Sequence, residues 1–346
     1  MIPGDKACYA GSDVLINKFG VKDAEIARAI EYKFASVRDL ELSANPIEGE
    51  FNFSHLQKIH EHLFQDLYDW AGKTRTVDFA KRSKQTGLVS KFVPQMVMDL
   101  KIEEFDRFIV QNNRLRNLPK AEFVKQFAEV YTQLNELHPF REGNGRSTRI
   151  FLRELAKQAG YELSIEKIDG DRWNYASHKA MVQYDVKNPD VRLPPNKFEI
   201  RQIFHEILTP TREHAFRHET REAAIKHYPE LKSVYDRLSD LEQNASKKLA
   251  PDKVEKLMKL EHQRIAEKLG AMTKQAELKS TLNQETPTQK VGFDKYQVLA
   301  NAVTNVLQKK GETPERINRI VDEAHRRLDA LQARESQVKK GADRSR

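Results

Sequence analysis

Apolar residues recur every three or four positions through most of residues 20–210, which is the spacing of one buried face of an α-helix. Phe123, Phe127 and Val130 illustrate the pattern. Ser54 precedes another such segment and is a predicted N-cap. The pattern predicts helices over residues 23–44, 55–70, 94–112, 120–137, 146–159, 171–184 and 197–208.

A different pattern occupies residues 73–93, where short pieces of β-type sequence flank a polar centre that contains a glycine. This arrangement predicts a β-hairpin or an exposed flap. Elsewhere, strands and helices do not alternate as they do in a parallel α/β fold. The predicted fold class is therefore all-α: a helical bundle with a small β-hairpin flap over residues 1–210, with its core at about residues 50–186.

Beyond residue 210 the pattern changes to long helices. Leu231, Val234 and Leu238 repeat at three and four positions, which is typical of a coiled coil or a helical hairpin. A polar stretch then interrupts the helices. The sequence predicts a helical hairpin or coiled-coil region over residues 211–278, a linker over 279–294, two helices over 295–338 and a disordered tail over 339–346.

The formal net charge of +8 is concentrated in the second part of the chain. Residues 211–346 hold 28 Lys and Arg against 21 Asp and Glu, which leaves this part with +7. We interpret the charge as the solvated surface of a coiled coil, with an acidic partner such as nucleic acid as the alternative. No basic patch interleaved with aromatic residues supports nucleic-acid binding.

Composition also bears on location. No run of about eighteen apolar residues is present to predict a membrane span, and the first residues lack the apolar core of a signal peptide. Cys8 is the only cysteine, so the chain has no internal disulfide. These features predict a cytoplasmic protein and leave open its translocation into another cell.

The segment at residues 138–149, HPFREGNGRSTR, has the composition of an anion-binding site. Residues 143–145 can adopt unusual backbone angles and present backbone N–H groups just before a new helix. The start of a helix carries unpaired N–H donors and partial positive charge, which favour bound phosphate. Arg146 and Arg149 are three residues apart and can both face a ligand with several anionic oxygens.

Two further residues of this segment suggest chemistry. Glu142 is a carboxylate among cationic groups, and Mg²⁺ commonly bridges a carboxylate and substrate phosphates. His138 has a side chain whose usual pKa lies near neutrality, so it can take a proton from an attacking hydroxyl. The alternative is a polar corner between two helices with solvated arginines. The segment is not a Walker A loop, because it lacks the GK[ST] ending.

The same segment resembles the signature of Fic-domain proteins, HxFx(D/E)GNGRxxR, and matches it at every specified position. Upstream, FSHLQKIHEHLFQDLYDWAGKTRTVD resembles the family's early core helix and the strand that leads to its flap. The resemblance covers about residues 10–210. Fic domains are helical, and most members with a complete motif transfer AMP from ATP to a hydroxyl side chain of another protein. The resemblance therefore implies a protein adenylyltransferase with ATP as substrate and Mg²⁺ as cofactor.

The resemblance also assigns roles to residues. His138 is similar to the general base that deprotonates the target Tyr, Ser or Thr, and Glu142 to the Mg²⁺ ligand. The implied nucleotide and phosphate contacts are Gly143, Asn144, Gly145, Arg146, Ser147, Thr148 and Arg149. The implied target-docking flap comprises Lys81, Gly87, Leu88, Val89, Ser90, Lys91 and Phe92. The predicted adenosine pocket consists of Trp173, Asn174 and Tyr175, which could equally be core residues.

Fic proteins are often inhibited by a helix with the motif (S/T)xxxE(G/N), whose glutamate pairs with the second motif arginine, here Arg149. The nearest match, SANPIEGEF, has Ser43 five residues before Glu48 instead of four, and Pro46 disfavours a helix there. We therefore expect a small antitoxin-like partner that supplies the glutamate. The resemblance to bacterial toxin–antitoxin modules and secreted effectors suggests, by analogy, a type II topoisomerase subunit as target.

Two alternatives remain open at this stage. One is a Fic-fold transferase that moves another phosphate-containing group. The other, of a different class, is a basic helical protein that binds nucleic acid or a partner through residues 211–346.

Overall fold

The computed structural model describes residues 6–188, 190–283 and 294–343. The described residues are mostly helical with a few short strands, as the sequence predicts. The helices of the first part are α1 (Ala24–Ala44), α2 (Phe53–Phe64), α3 (Met98–Gln111), α4 (Lys120–Leu137), α5 (Asn144–Gln158), α6 (Gly170–Lys179) and α7 (Phe198–Ile207). The short strands are β1 (Ala80–Arg82), β2 (Val89–Lys91), β3 (Tyr161–Leu163), β4 (Gln183–Tyr184), β5 (Arg192–Leu193) and β6 (Leu208–Pro210).

Most predicted helix positions are confirmed, with differences at the ends. The N-cap of α2 is Asn52, whose side chain accepts a hydrogen bond from the His55 N–H, so the prediction of Ser54 is wrong. The same helix ends at Phe64 and not near residue 70. The predicted helix over 171–184 ends at Lys179 because the chain continues into β4, a strand held by its neighbours in a sheet. Long-range strand pairing outweighs local helical spacing there.

A single hydrophobic core surrounds α4 and α5. Phe123, Phe127 and Leu134 of α4 are fully buried, as are Phe151 and Leu155 of α5. Each such side chain contributes about 1.5–3 kcal/mol of transfer free energy when it leaves water. The segment between the two helices therefore has its ends fixed by the most buried part of the molecule.

The predicted hairpin at residues 73–93 is confirmed but belongs to a larger sheet. Strands β1 and β2 are antiparallel, with Lys81 opposite Ser90. The sheet continues through β4 to β5 in the order β1-β2-β4-β5. A two-residue strand such as β4 has no periodicity that the sequence could reveal. Strand β1 lies at one edge of the sheet and has a partner on one side only.

The chain beyond residue 210 folds into two groups of helices. The first group has its own small core, which includes Phe216, Leu231 and Leu269. Its first two helices have seven residues each, too few for periodicity in the sequence to indicate them. This group comprises α8 (Arg212–His218), α9 (Arg221–His227), α10 (Leu231–Ser246) and α11 (Pro251–Asn283).

The second group, α12 (Lys295–Lys309) and α13 (Pro314–Asp343), packs against α1. Leu299, Val303 and Leu328 are part of the main core. Because α11 continues to Asn283, the predicted linker begins later than residue 279, and residues 284–293 lie outside the described residues.

Helix α13 likewise continues into the segment predicted to be disordered, residues 339–346. That prediction is wrong for residues 339–343, which are part of α13. Residues 344–346 lie outside the described residues. Within the ranges that the structure covers, no helix combines the length and the apolar composition that crossing a membrane requires.

An ion-pair cluster joins α12 to the rest of the fold. Asp66 is buried just after α2; its carboxylate lies 2.7 Å from Arg38 Nε of α1 and 2.5 Å from Lys295 Nζ at the start of α12. Burial alone would raise the pKa of Asp66, but the hydrogen bonds and charges of Arg38 and Lys295 outweigh burial and lower it. The carboxylate is therefore ionised at neutral pH and holds three segments together.

We expect Asp66→Asn to lower the free energy of unfolding by about 2–3 kcal/mol, because Lys295 loses its anion and Arg38 keeps only Glu41 as a partner of opposite charge among the described residues. Urea denaturation measures the change. The matched control is Asp69→Asn, since the Asp69 side chain is 91% exposed and its ion pair with Lys18 spans 3.8 Å. The control should change stability by less than about 0.5 kcal/mol. Equal effects of the two substitutions would contradict this account.

Candidate active site

The segment that connects α4 to α5 is held in place by a buried arginine. Arg75 Nε donates to the backbone oxygen of His138 at 2.8 Å, and Nη2 donates to the oxygens of Leu137 and Val93. Nη1 donates to the oxygen of Val77 at 2.8 Å. The last carbonyls of a helix lack partners within the helix, and here one guanidinium supplies donors for two of them. Arg75 thus fixes both the end of α4 and the base of the flap.

His138 has a left-handed backbone conformation, with φ of +41°, directly after α4. The ring of Phe92 stacks on its imidazole with centroids 3.8 Å apart, and Phe79 lies edge-on at 5.7 Å. Burial, followed by the positive charges of Arg75 and Lys81, lowers the pKa of His138 to about 3. The imidazole is therefore neutral at pH 7 and has a nitrogen free of a proton.

The turn after His138 is closed by Asn144. The Asn144 side chain accepts a hydrogen bond from the Phe140 N–H at 2.9 Å and donates to the Phe140 oxygen at 2.8 Å. Phe140 is fully buried and stacks on His60 with centroids 3.8 Å apart. His60 Nε2 is 2.9 Å from the backbone oxygen of Glu142. Burial lowers the pKa of His60 to about 4, so the ring is neutral and donates to this carbonyl. The polar turn consequently rests on a rigid apolar base.

Gly143 is the N-cap of α5, with φ of +81°. A Cβ atom there would lie 2.3 Å from Cε2 of Phe64, so only glycine fits. Gly145 has no heavy atom within 4 Å of its ideal Cβ position. Among the described residues, the N–H groups of Asn144 and Gly145 have no acceptor, as expected at the first turn of a helix. The start of α5 therefore has the free N–H donors that the predicted anion site requires.

These groups border one cavity of about 450 Å³. Its walls bring together the flap, the end of α4, the start of α5 and one face of α6. Of the residues predicted from sequence, the cavity is lined by Lys81, Phe92, His138, Glu142, Asn144, Gly145, Thr148, Arg149, Trp173 and Asn174.

Glu142 is a half-exposed carboxylate at the cavity wall. Its Oε1 accepts a hydrogen bond from the Gly143 N–H at 3.0 Å and is 3.5 Å from Arg146 Nη2. Its other oxygen has no partner among the described residues. Those residues contain no group of three or more His, Cys, Asp or Glu able to enclose a metal. The site thus offers one carboxylate to a cation.

Arg146 does not face this cavity. Its Nη2 lies 2.5 Å from Glu31 Oε1 of α1, and its guanidinium is 4.7 Å from the centre of the Phe64 ring. The Tyr68 hydroxyl donates to the other oxygen of Glu31. Sequence spacing predicts that Arg146 and Arg149 face the same ligand, whereas of the two only Arg149 lines this cavity, and α1 supplies an anion to Arg146. Arg149 forms no ion pair among the described residues, and its Nε donates to the Gly145 oxygen at 3.3 Å.

Three other predicted residues also lie away from the cavity. Ser147 is fully buried, and its hydroxyl donates to the oxygens of Gly143 and Asn144 at 3.1 Å, so it braces the helix start. Tyr175 is exposed on the outer side of α6 and packs beside Lys179. Gly143 lies behind the loop, against Phe64.

The flap residues divide between the cavity and the sheet. The Ser83 N–H donates to the Leu88 oxygen at 2.8 Å, and the Phe92 N–H to the Phe79 oxygen at 3.4 Å. In an antiparallel pair, residues whose backbone groups bond to the partner strand alternate with residues whose backbone groups point away from it. Phe79 and Ser83 bond to the partner strand, so the backbone groups of Ala80 and Arg82 face the open edge of β1. Residues 87–91 form the turn and second strand and do not line the cavity, although Ser90 contacts α6.

Several cavity residues have no motif signal in the sequence. Tyr131, Asn135 and Ser177 line the wall between α4 and α6, and Arg141 lies beside Phe79. Tyr131 and Asn135 are four residues apart on one face of α4, so helical spacing from His138 could have indicated them. Arg75 lies within KTRTVD, and the sequence there does not indicate its role because a buried guanidinium has no local signature.

The chain is similar to several known proteins. The model of the Fic/DOC family matches residues 50–156. "Protein adenylyltransferase VbhT" of Bartonella schoenbuchensis is 37% identical over 164 residues, which span 47% of this chain and 33% of that protein. "Probable protein adenylyltransferase Fic" of Escherichia coli K12 is 32% identical over 176 residues, which span 50% of this chain and 82% of that protein. The chain belongs to the Fic/DOC family.

A solved structure is also similar to this chain. BepC, a VirB-translocated effector of Bartonella tribocorum, was crystallised with bound AMPPNP. It superposes with a TM-score of 0.51 at 26% sequence identity and covers 59% of this chain and 96% of that one. The chain matches about a third of the length of the Bartonella schoenbuchensis relative, so the comparisons concern the first part of this protein.

The two glycines of the motif provide a matched test of the loop. Gly143→Ala should lower the free energy of unfolding by more than about 2 kcal/mol, because it adds backbone strain and a clash with Phe64. Gly145→Ala should change it by less than about 0.5 kcal/mol, since its Cβ would meet open space on a helix. Urea denaturation of both variants checks the difference. A Gly143→Ala protein as stable as wild type would contradict the described loop.

Proposed function

We propose that this protein transfers AMP from ATP to the hydroxyl of a Tyr, Ser or Thr side chain in another protein. One observation carries the proposal: a neutral imidazole, a carboxylate and an open helix start share one cavity beneath an unpaired strand edge. The names of the relatives and the AMPPNP bound to BepC support the same reaction.

In this proposal the triphosphate lies against the start of α5. The free N–H groups of Asn144 and Gly145 and the guanidinium of Arg149 supply positive charge on the cavity wall. Thr148 adds a hydroxyl on the same side. Arg146 reaches the phosphates only after it leaves Glu31. Trp173 and Asn174 of α6 border the remaining space, where the adenosine is proposed to lie.

The carboxylate of Glu142 fits a magnesium ion shared with phosphate. It is half exposed and keeps one oxygen without a protein partner, and Mg²⁺ is usually held by one or two carboxylates plus phosphate oxygens. When bound, Mg²⁺ neutralises part of the phosphate charge and orients the leaving group. A site enclosed by protein alone would need several ligating side chains, and the described residues contain no such group.

His138 is placed to act as the general base. The target hydroxyl oxygen attacks the α-phosphorus, the bond from that phosphorus to its bridging oxygen breaks, and pyrophosphate leaves. The hydroxyl proton passes to the neutral imidazole of His138. A pKa of about 3 would make this ring a weak base, but the negative charge of bound ATP opposes Arg75 and Lys81 and raises that pKa.

The open edge of β1 is the proposed docking place for the target. The backbone groups of Ala80 and Arg82 face this edge, so an extended target segment can add as a further strand. Phe79 and Lys81 lie in both the flap and the cavity wall. A segment paired there would carry its hydroxyl towards His138.

His138→Ala should reduce labelling of proteins in a bacterial lysate by about 10²–10⁴-fold, because the base is removed. The dissociation constant for AMPPNP, measured by calorimetry, should stay within about twofold, since the phosphate-binding groups remain. ATP labelled at the α-phosphate should transfer its label, and ATP labelled at the γ-phosphate should not. Transfer of the γ-label instead would favour movement of another phosphate-containing group, and a large loss of AMPPNP affinity would argue against the base role.

We further propose that restraint of this activity comes from a small antitoxin-like partner. Ser43 and Ala44 of SANPIEGEF end α1, and the rest of the segment, including Glu48, lies outside any helix. Glu48 is exposed and forms no ion pair among the described residues. Arg149 also borders a second groove, of about 470 Å³, between α1 and α5. The groove combines apolar residues such as Ile150 and Leu163 with cationic side chains, and an inhibitor helix lying in it could place a glutamate beside Arg149.

The purified chain should therefore label lysate proteins without any activating substitution. Glu48→Gly should leave the rate within about twofold of wild type. Activity that appears only after replacement of Glu48, or of Glu31 beside Arg146, would locate the restraint within the chain itself.

The biological role that we propose is that of a bacterial toxin or effector. BepC is described as a VirB-translocated effector, which supports translocation as one route for a related protein. By analogy with toxin–antitoxin modules, the target is a type II topoisomerase subunit in the cytoplasm. Identification of the labelled lysate protein by mass spectrometry tests the target directly.

A further inference from the structure

His178 is a buried histidine that the proposed reaction does not use. It lies near the end of α6, and only 6% of its surface is exposed. Its ring has partners on three strands of the flap sheet. Nε2 is 3.1 Å from the Lys81 oxygen of β1, and Nδ1 is 2.9 Å from Ser90 Oγ of β2 and 2.9 Å from Gln183 Nε2 of β4.

The partners define the tautomer of the ring. The amide nitrogen of Gln183 can only donate, so Nδ1 must be its acceptor. The proton then lies on Nε2, which donates to the Lys81 oxygen. Lys81 and Ser90 lie opposite each other in the β1–β2 ladder, so the ring contacts both residues of this cross-strand pair. A neutral ring satisfies all of these contacts at once.

The position of His178 connects two parts of the cavity. Ser177, the preceding residue, lines the cavity, and Trp173 and Asn174 lie one turn earlier on α6. On the other side of the cavity, Lys81 belongs to the edge strand. Hydrogen bonds between β1 and β2 hold the hairpin together, but they do not set its position relative to α6. At the hairpin turn, Gln85 Nε2 donates to the Asp171 oxygen of α6 at 3.2 Å, whereas the bond from His178 Nε2 ties the edge strand itself to α6.

We infer that His178 is a positioning residue that holds the edge strand β1 over the cavity by its hydrogen bond to the Lys81 carbonyl. The anchoring itself stands on the geometry alone. Its consequence for catalysis rests on the proposed AMP transfer: the strand to which a target would add is held at a fixed distance from His138. Loss of the bond should therefore weaken target docking and leave nucleotide binding and the chemical step in place.

Two substitutions separate this role from simple packing. In His178→Gln the side-chain amide nitrogen reaches the position of Nε2 and can still donate to the Lys81 oxygen. In His178→Asn the side chain reaches only the position of Nδ1, so the Ser90 and Gln183 contacts can persist while the Lys81 bond is lost. Ser90→Ala is a further control, since it removes an Nδ1 partner only.

Hydrogen exchange of residues 79–92 in the free protein is the decisive measurement. His178→Asn should speed exchange in this segment by about tenfold, whereas His178→Gln and Ser90→Ala should stay within about twofold of wild type. Equal exchange in the Asn and Gln variants would overturn the inference. In wild type, NMR should also show a slowly exchanging imidazole proton on Nε2 close to the Lys81 backbone; its absence would overturn the inference even if a variant failed to fold.

A kinetic measurement tests the consequence. With saturating α-labelled ATP and a dilution series of bacterial lysate, His178→Asn should need about tenfold more lysate for half-maximal labelling. The maximal rate and the AMPPNP dissociation constant should stay within about twofold, and His178→Gln should restore the wild-type lysate dependence. A loss confined to the maximal rate would overturn the positioning role. Absence of labelling by wild type would instead refute AMP transfer, and the exchange result would still decide the anchoring.

Discussion

The geometry of the site depends on the buried guanidinium of Arg75. A buried charged group must have its donors satisfied, and those of Arg75 are satisfied mainly by carbonyls from the end of α4 and from both ends of the flap segment. Asp78 adds a longer contact, 3.4 Å from Nη1. Neither the loop after α4 nor the flap could shift without leaving part of this cation unpaired. The positions of His138 and of the hairpin are therefore set together.

The same cation determines the electrostatic character of the cavity. Burial and the nearby charges of Arg75 and Lys81 keep His138 neutral, while the start of α5 and Arg149 leave an excess of positive charge. These groups favour an anionic ligand. The negative charge of a bound anion raises the pKa of the His138 imidazole, which proton transfer to that ring requires. In the proposed reaction, one local charge distribution serves both binding and catalysis.

Helix α1 links the C-terminal helices to the phosphate end of the site. One side of α1 packs against α12, and Lys295 and Arg38 meet at Asp66. Another side presents Glu31 to Arg146. The main core includes residues on both sides of the segment 284–293, so residues distant in sequence support the same helix. The state of Arg146 therefore depends on how α1 is held.

The sequence by itself determined what depends on local order. Helical spacing located α1, α4, α5 and α7, and the twelve residues from His138 to Arg149 indicated an anion site, because a cap, a left-handed glycine and a helix start are short-range features. The tertiary structure decided what depends on contacts across many residues. It paired Arg146 with Glu31, turned residues 183–184 into a strand, placed His178 against the flap and packed α12 on α1. These outcomes follow from burial and from partners distant in sequence, which periodicity along the chain does not record.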